Sequence, residues 1–389
     1  MTSLHTALHA APLLPMIAAQ AGAADSSRSV APEVIAALKK NDVMRLSASK
    51  EIGGLEGSIA STGRELEAIA AACGSTGWCM WNHLCVFHFY CGQLGATHAG
   101  MLRDITQAGH WVCFPAGAGT SVKGRIEGNE VVLNGEASFG SGGRYADFMG
   151  VIFLCEDPPG PRFTLLRTSQ PGIHIDPTWN AMSLRASATD HVRYADVRVP
   201  LPQVAPYTVR FRDLFRSPDY PVLNPRYRED WVGLSDLWLG CMAVGVADAA
   251  LREACDGIQG RIAIMGTKMV ERPTIHVNLG QAGAMIGAAR ATIYDGCART
   301  DARIAARQTP SEGDYLEQLA ASMMALRLCD DAMRLILRVL GGNGLREGQT
   351  FERRYRDFQA MPIHINAHPD RLSEAYGRHL LGLPAENSF

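Results

Sequence analysis

The chain has 389 residues, of which 47% are hydrophobic and 20% charged, and its formal net charge at pH 7 is −2. This balance is typical of a globular protein with a large core and argues against a disordered chain. The net charge also argues against nucleic acid as the main partner, because binding to phosphates is driven by clustered lysine and arginine. Any cationic site in this chain must therefore be local.

The ten cysteines do not form a metal-binding or disulfide pattern. No C-x-x-C motif and no zinc-type cluster of cysteine and histidine occurs. Four of them recur every six residues, which scatters them over three faces of a helix: Cys73, Cys79, Cys85 and Cys91. We interpret the cysteines as small buried side chains in a reducing, cytoplasmic protein without a metal site.

The apolar residues 10–24 have the length and the small-residue ending of a secretory signal peptide. They lack its positive start, because no lysine or arginine precedes Arg28, and Pro12 and Pro15 interrupt the apolar run. We therefore predict a short helix of the folded protein here. No later segment is expected to supply the roughly 18 apolar residues of a membrane span, so no membrane contact is predicted.

Three regions of different texture follow one another along the chain. Residues 30–110 have the apolar spacing of helices, residues 110–225 hold short β-rich runs between turns, and long helical patterns return after them. In the last region Gly280, Gly283 and Gly287 share one helical face, which predicts a close contact between two helices. This order indicates one large fold with a β module between two helical blocks.

Three motifs carry the strongest family signal. They are WNAMSLRASATDHVRYADVRVP at residues 179–200, LGGNGL at residues 340–345 and RRYRDFQAMPIH at residues 353–364. In this order they are similar to three features of the acyl-CoA dehydrogenase superfamily. These are a Gly-Leu-Arg-Gly-Thr-Gly-Ser stretch before an Asp-Val-x-Val-Pro strand, a Gly-Gly-x-Gly turn and an Arg-Asp segment. The chain resembles this superfamily over nearly its whole length.

The resemblance implies an α+β fold with three domains. These are an N-terminal helical domain over residues 1–110, a central β-barrel-like domain over residues 111–225 and a C-terminal four-helix bundle over residues 226–389. The charged residues of the Arg-Asp segment are expected to brace the last helices and the contact between subunits. They are Arg353, Arg354, Arg356 and Asp357.

The superfamily contains both dehydrogenases and flavin-dependent oxygenases, and one position separates them. Its dehydrogenases commonly carry a catalytic glutamate in an Ile-Tyr-Glu-Gly-Thr motif shortly after the Arg-Asp segment. The matching residues here are IHINA at residues 363–367, with Ile365 in place of the glutamate. An aliphatic side chain cannot accept a proton. Glu253 or Glu271 could supply a base from another helix, although each is better explained as a solvated helix charge.

Three other stretches favour the oxygenases. The flavin-contacting Thr-Glu-Pro-x-Ala-Gly-Ser-Asp loop of the family is changed to CFPAGAGTS at residues 113–121. EASFGSGGRYADF at residues 136–148 is similar to the Phe-Ser-Ser-Gly strand end of the two-component aromatic monooxygenases, and STGWCMWNHLCVFH at residues 75–88 to their Ser-x-x-Trp…His helix. His364 falls on the position of their C-terminal pocket histidine.

The resemblance therefore implies the oxygenase component of a two-component flavin-dependent monooxygenase. Such an enzyme receives reduced FAD or FMN from a separate NAD(P)H flavin reductase and uses O₂ as its co-substrate. It hydroxylates an aromatic or heteroaromatic small molecule through a flavin C4a-hydroperoxide. No Rossmann G-x-G-x-x-G motif follows a strand in this sequence, which is consistent with a separate reductase.

The resemblance places polar residues near the reaction. His364 is expected against the substrate and either His83 or His88 on the opposite wall, because histidine can donate or accept a proton at neutral pH. His83 and His88 are five residues apart and diverge by about 140° on a helix, so only one is expected to face the flavin. Ser141 is the expected hydrogen-bond donor to flavin N5.

Five more residues are expected to contact the cofactor. Phe114 and Ala118 would cover the flavin ring, and Arg185 would meet its phosphate, which a guanidinium matches in shape and charge. The turn at Gly341 and Gly342 can approach a phosphate closely. In the superfamily this turn often reaches the cofactor of a neighbouring subunit, which implies a homo-oligomer, expected as a tetramer.

Two alternatives stay open at this point. One is an enzyme that keeps the thioester handling of the superfamily, either as a dehydrogenase with a relocated base or as an oxygenase acting on a CoA-linked ring. The other is a flavin-less scaffold built on the same fold. Bleaching of oxidised flavin by a CoA thioester would favour the first, and a lack of affinity for any flavin would favour the second.

Overall fold

The computed structural model describes residues 8–117, 119–207, 221–263 and 266–385. Ala118, one of the expected flavin contacts, lies outside these described residues. The predicted order of helical, β and helical regions is confirmed, and with it the α+β fold. The division into domains at residues 1–110, 111–225 and 226–389 remains a proposal.

From residue 8 onward, the N-terminal region has five α-helices: α1 Leu14–Ser27, α2 Pro32–Lys39, α3 Ile59–Ala72, α4 Gly74–Leu94 and α5 Ala99–Gln107. The segment at residues 10–24 is helical as expected, because α1 continues directly from a 3-10 turn at Ala11–Leu13. Helix α3 begins after Ser58, whose side chain accepts a hydrogen bond from the Ser61 N–H. This bond satisfies one of the unpaired amides at the helix start.

Helix α4 crosses the interior of the molecule. Of its 21 residues, only Asn82 is not buried. Its close fit against α3 depends on Gly77, because a Cβ atom at this position would lie 2.8 Å from the Cα of Ala70. A helix that is apolar on all sides needs such burial. The candidate site residues on α4 therefore stand on a rigid, enclosed element.

Eight strands form the central sheet: β1 Val112–Cys113, β2 Ser121–Glu127, β3 Glu130–Gly140, β4 Phe148–Glu156, β5 Pro159–Arg167, β6 Ile173–Asp176, β7 Asp190–Pro200 and β8 Ala205–Pro206. The order across the sheet is β6-β7-β3-β2-β4-β5-β8, and β1 pairs with β4. The antiparallel pair of β3 and β7 has a register shift between Ala137 and Gly140. Such an irregularity bends a strand and re-aims its side chains. It occurs just before Ser141.

Five helices follow the sheet in the described part of the chain: α6 Trp231–Ile258, α7 Pro273–Ala305, α8 Glu312–Leu340, α9 Thr350–Gln359 and α10 Pro369–Leu380. Helix α8 begins with a capping box formed by Ser311 and Asp314. Helices α6, α7 and α8 pack against one another, and α3 of the N-terminal region packs against α6 and α7. The two helical regions consequently share one hydrophobic core.

One described helix, α6, has the length and apolar composition of a membrane span, although no later segment was expected to have them. By length and composition alone this helix passes as a candidate span. In the structure, 89% of its apolar window is buried inside the protein. Helix α6 is apolar because it crosses the core between other helices, and periodicity alone does not separate such a helix from a span.

The expected close helix contact at Gly280, Gly283 and Gly287 is not made within the described chain. No atom lies within 4 Å of a Cβ built at Gly280 or Gly287, and Gly283 meets only the side chain of Leu251, at 3.6 Å. The shared face of the three glycines is correct, but it points away from the core. Their small size is therefore not required by packing inside one chain.

The charged segment in α9 braces the fold as expected within the chain. Arg354 donates hydrogen bonds to Glu253 on α6, the shorter at 2.8 Å, and to the carbonyl of Ala71 on α3. Arg356 donates to the carboxylate of Asp25 on α1 at 2.8 Å. Both guanidinium groups are largely shielded from solvent. Helix α9 is thereby tied to three other helices.

Asp357 joins the same segment to the start of α4. Its carboxylate accepts the N–H of Leu184 at 2.7 Å, and a Cβ built at Gly74 would come within 2.8 Å of it. Burial, with a smaller effect of like charge on Asp25, raises the pKa of Asp357 to about 7. A carboxyl group at this junction therefore titrates in the neutral range.

All ten cysteines are free, and nine of them are buried. Burial raises the pKa of Cys91 and of Cys113 to about 12. Such thiols stay protonated at neutral pH and are poor nucleophiles. They behave as the small buried side chains that the sequence predicts.

Candidate active site

His364 lies against two tryptophan rings of α4, in the segment that follows α9. The centroid of its imidazole is 5.1 Å from that of Trp81 and 5.5 Å from that of Trp78. Both contacts are edge-on, with interplanar angles of 88° and 73°. The two indoles are three residues apart and so share one face of the helix. Two of the stretches that carry the family resemblance therefore meet in space.

Hydrogen bonding fixes the protonation of the His364 ring. Its Nδ1 accepts the backbone N–H of Asn366 at 3.3 Å. A neutral imidazole whose Nδ1 accepts must carry its proton on Nε2. Desolvation by the surrounding residues lowers the pKa of His364 to about 4. At neutral pH the ring is therefore uncharged and offers an Nε2–H donor.

Asn366 and Ser235 connect this histidine to α6. The side-chain amide of Asn366 donates to the Ser235 hydroxyl at 3.1 Å. The carbonyl of Ser235 accepts the indole N–H of Trp81 at 2.7 Å. Both residues are buried, and the sequence analysis did not single out either of them. Asn366 could have been found from its place in the IHINA stretch, two residues after the histidine.

Trp78 links the same cluster to Ser141. Its indole N–H donates to the Ser141 hydroxyl at 3.0 Å. Two residues before Ser141, Phe139 takes a left-handed φ of 59°, and the residue is 53% exposed. This conformation is strained for a residue with a bulky side chain. The end of β3 thus presents an exposed ring beside a buried hydroxyl.

Two further hydroxyl groups extend from Ser141. The Thr189 hydroxyl lies 3.0 Å from that of Ser141 and 2.7 Å from that of Ser187. All three groups are buried. Ala188, between the two, has a φ of 47°. In the sequence, the S-x-T spacing at residues 187–189 could have indicated this row of hydroxyl groups.

The predicted flavin loop packs against the same strand end. The N–H of Gly117 donates to the carbonyl of Ser138 at 3.0 Å. Phe114 is half-buried, and its ring centroid lies 5.1 Å from that of Phe89 and 6.4 Å from that of Trp231 at the start of α6. The loop therefore packs against the end of β3, against α4 and against the start of α6.

The structure does not bring His83 or His88 into this cluster. His83 Nε2 bonds with the carbonyl of Met44 at 3.0 Å, and its Nδ1 accepts the N–H of Val112 at 3.1 Å. His88 Nε2 bonds with the carbonyl of Glu229 at 3.2 Å. Burial lowers the pKa of His83 to about 4 and that of His88 to about 3. Both ring nitrogens of His83 are occupied, which favours a role in the fold, whereas His88 Nδ1 is buried with no hydrogen-bond partner among the described residues.

The two predicted phosphate contacts, Arg185 and the glycine turn, differ in how free they are to bind a ligand. The guanidinium of Arg185 lies 3.4 Å from Glu347 and 3.6 Å from Asp25, so two acids already balance its charge. Gly341 and Gly342 face open space, with no atom within 4 Å of a Cβ built at either position. The glycine turn can receive a phosphate or a neighbouring subunit, whereas a phosphate at Arg185 would compete with two carboxylates.

The alternative catalytic bases are not available at the tryptophan pair. Ile365, in place of the family glutamate, is 61% exposed. Glu253 is held by Arg354, and Glu271 is an exposed residue 3.8 Å from Lys268. None of these positions offers a carboxylate that could remove an α-proton from a substrate beside His364.

The groups around Trp78 suit the ring of a flavin. A serine hydroxyl has one proton and two lone pairs, and Trp78 and Thr189 use two of these three positions on Ser141. One hydrogen-bonding position on a buried group is therefore left for a ligand. The exposed ring of Phe139, 6.3 Å from that of Trp179, gives a planar ligand an apolar surface.

A separate open cavity of about 1010 Å³ lies beside α3, α6 and α7. Its wall is charged, but Arg290 pairs with Glu67 at 2.8 Å and with Asp248 at 3.3 Å, so these charges balance one another. None of the residues expected to bind flavin or substrate lines it. The cavity is therefore distinct from the candidate active site.

Comparisons with known proteins identify similar enzymes. A 25% identical pigment production hydroxylase of a Rhodococcus species matches over 99% of this chain and 98% of its own length. The indole-3-acetate monooxygenase of Pseudomonas putida is 26% identical over 89% of this chain and 86% of its own. Cyclohexane-1-carbonyl-CoA dehydrogenase of Syntrophus aciditrophicus is 25% identical over 89% of this chain and 88% of its own.

Among solved structures, XiaF from a Streptomyces species, in complex with FADH2 and glycerol, has a TM-score of 0.86 at 18% identity and covers 97% of this chain and 95% of its own. Two family models also match, the acyl-CoA dehydrogenase N-terminal domain at residues 15–95 and its C-terminal domain at residues 237–369. Together they cover more than half of the sequence, including α4 with its two tryptophans and the segment with His364. The chain belongs to the acyl-CoA dehydrogenase superfamily.

Proposed function

We propose that this chain is the oxygenase component of a two-component flavin-dependent monooxygenase that hydroxylates an aromatic or heteroaromatic small molecule. One observation carries the proposal. The polar group at the tryptophan pair is the neutral imidazole of His364, whereas the position of the dehydrogenase base holds the exposed Ile365. Oxygen transfer needs a dry, hydrogen-bonding site, while α-proton removal needs a carboxylate.

A reduced flavin, when bound, supplies the activation of O₂. The chain provides the surroundings in which this chemistry takes place. Ser141, oriented by Trp78, has a hydrogen-bonding position for the edge of the ring, and Phe139 offers it an apolar face. The buried indoles of Trp78 and Trp81 keep water away from the reacting atoms. FAD and FMN are both suited to this half of the site, which recognises only the ring.

His364 acts in this proposal as a hydrogen-bond donor. Its Nδ1 is occupied by the N–H of Asn366, so the free position is the Nε2–H. A neutral donor in a site of low polarity can stabilise negative charge as it develops on an oxygen atom. The two indoles beside it give an aromatic substrate apolar ring surfaces to pack against.

The partners follow from the same chemistry. A separate NAD(P)H flavin reductase supplies reduced flavin, and a relative named as a hydroxylase and another as an indole-3-acetate monooxygenase support an aromatic substrate. The ten free cysteines support a cytoplasmic location. The open turn at Gly341 and Gly342 supports a homo-oligomer, proposed as a tetramer.

The alternative is a flavoenzyme acting on a CoA thioester. It is favoured by the similarity to cyclohexane-1-carbonyl-CoA dehydrogenase. A thioester dehydrogenase reduces its own flavin with electrons from the substrate. If a set of CoA thioesters bleaches oxidised flavin on this protein without a reductase, the alternative replaces the monooxygenase proposal.

The proposal is tested by supplying chemically reduced FAD or FMN to the purified protein in air enriched with ¹⁸O₂. A panel of phenols and indoles serves as substrate, and mass spectrometry detects the products. We expect one ¹⁸O atom in a hydroxylated product of at least one compound, with no reductase present. Label recovered only in hydrogen peroxide, with none in any product across the panel, would contradict the proposed reaction on aromatic rings.

A further inference from the structure

Asn366 holds His364 and is itself held by α6. It lies two residues after the histidine and is 4% exposed. Its backbone N–H donates to His364 Nδ1 at 3.3 Å, and its side-chain amide donates to the Ser235 hydroxyl at 3.1 Å. A single buried residue therefore contacts the imidazole on one side and the bundle on the other.

Ser235 in turn is fixed on both sides. Its hydroxyl donates to the carbonyl of Val232 at 2.9 Å, and its own carbonyl accepts the indole N–H of Trp81 at 2.7 Å. Ser235 is fully buried, so breaking these bonds would leave polar groups without partners. Ser235 on α6 thus positions both His364, through Asn366, and Trp81, one of the two tryptophans that contact the histidine.

This arrangement determines which imidazole nitrogen carries the proton. A neutral histidine can hold its proton on either nitrogen, and the hydrogen bond made by one nitrogen decides the state of the other. An N–H aimed at Nδ1 permits only the Nε2–H form. If the turn after His364 loosened, the ring could rotate or exchange tautomers.

We propose that Asn366 is a positioning residue that, anchored by Ser235, holds His364 as an Nε2–H donor toward the site. The consequence for turnover rests on the proposed monooxygenase function, but the tautomer does not depend on any flavin. Asn366 touches neither substrate nor cofactor in this proposal. It acts through the histidine.

The test is a ¹⁵N NMR spectrum of histidine-labelled protein at pH 7, with His364→Gln used to assign the signal. We expect His364 to be in the Nε2–H form in the unaltered chain and to become a mixture of tautomers in Asn366→Ala. Ser235→Ala removes only the anchor and should shift the signal in the same direction. Asn129→Ala, exposed in the turn between β2 and β3, is the matched control and should leave the signal unchanged.

Turnover gives a second, separate readout. With chemically reduced flavin, Asn366→Ala should lower product formation roughly tenfold or more, because small displacements of a reacting group are costly. Its affinity for flavin should change less than about twofold, and the double variant with Ser235→Ala should be no worse than Asn366→Ala alone. An Nδ1–H form in the unaltered chain, or full additivity of the two changes, would overturn the proposal. Correct tautomers without any hydroxylation would instead count against the proposed function alone.

Discussion

At the scale of single residues, substitutions of His364 distinguish a hydrogen-bond donor from a base that abstracts a proton. We predict that His364→Gln, which keeps an N–H donor, retains product formation within about tenfold, whereas His364→Phe loses on the order of 100-fold or more. The physical reason is that only the donor is needed at neutral pH. Single-turnover assays with chemically reduced flavin and identical substrate concentrations would measure the two variants.

The pH dependence of the same reaction is the control. Because the pKa of His364 is lowered to about 4, the neutral ring is already fully populated between pH 6 and pH 9. Product formation should show no step from this residue in that range, and His364→Gln should give a curve of the same shape. A loss of activity centred near the ordinary histidine pKa, absent from His364→Gln, would show that the ring works as a base.

Asp357 is the residue whose titration should affect stability. Its folded-state pKa of about 7 is above the ordinary value near 4 of an unfolded chain, so the folded state binds this proton more tightly. The stabilisation is fully present below about pH 4 and is lost as the pH rises through 7. Asp357→Asn removes the titration and keeps an oxygen for the Leu184 N–H.

The free energy of unfolding of Asp357→Asn, relative to that of the unaltered chain, should therefore rise as the pH is raised from 5 to 8. The expected gain is on the order of 1–3 kcal/mol, and denaturant unfolding at both pH values would measure it. Asp330→Asn, at a carboxylate of α8 that Arg334 holds, serves as the control. An equal difference from the unaltered chain at both pH values would contradict the assignment.

At the scale of elements, His83 connects α4 to the turn at Met44 and to β1 at Val112. Both of its ring nitrogens take part, so we expect His83→Phe to reduce the free energy of unfolding by roughly 2–4 kcal/mol. Flavin affinity and turnover of the folded fraction should change less than about twofold. A stable variant with lost turnover would restore His83 to the catalytic role expected from the family resemblance.

Elements were predictable where one physical signal dominated. The helical texture, the β-rich runs and the all-round apolar character of α4 follow from composition and periodicity. The outward direction of Gly280 and Gly287 was not predictable, because a shared helical face does not reveal what lies opposite it. Burial of α6 could not be predicted either, because its length and apolar composition fit both a core helix and a membrane span.

The site was predictable only in part, for a related reason. Resemblance identified His364 and Ser141, and the structure brings each within contact of Trp78. It also suggested His83, whose partners are backbone groups distant in sequence. Thr189 and Asn366 were missed although the S-x-T spacing and the IHINA stretch held local signals, because their hydrogen-bond partners Ser141 and Ser235 are distant in sequence.

At the scale of the whole molecule, helices and sheet meet around one region. The loop at Phe114 and the end of β3 come from the central sheet, the tryptophans from α4, Ser235 from α6 and His364 from the C-terminal segment. Sites assembled from several elements depend on the integrity of the fold, since each wall is fixed by a different part of the chain. Hydroxylation should therefore be lost together with the folded state on heating.

The central claim is that this molecule receives a reduced flavin and directs its reaction with O₂. The most direct measurement mixes the protein with chemically reduced FAD or FMN without oxygen, then adds aerated buffer in a stopped-flow spectrometer. We predict a transient flavin–oxygen adduct whose absorbance differs from that of both oxidised and reduced flavin, and which His364→Phe still forms. Reoxidation at the rate of free flavin, with no adduct for either flavin, would contradict the proposed function.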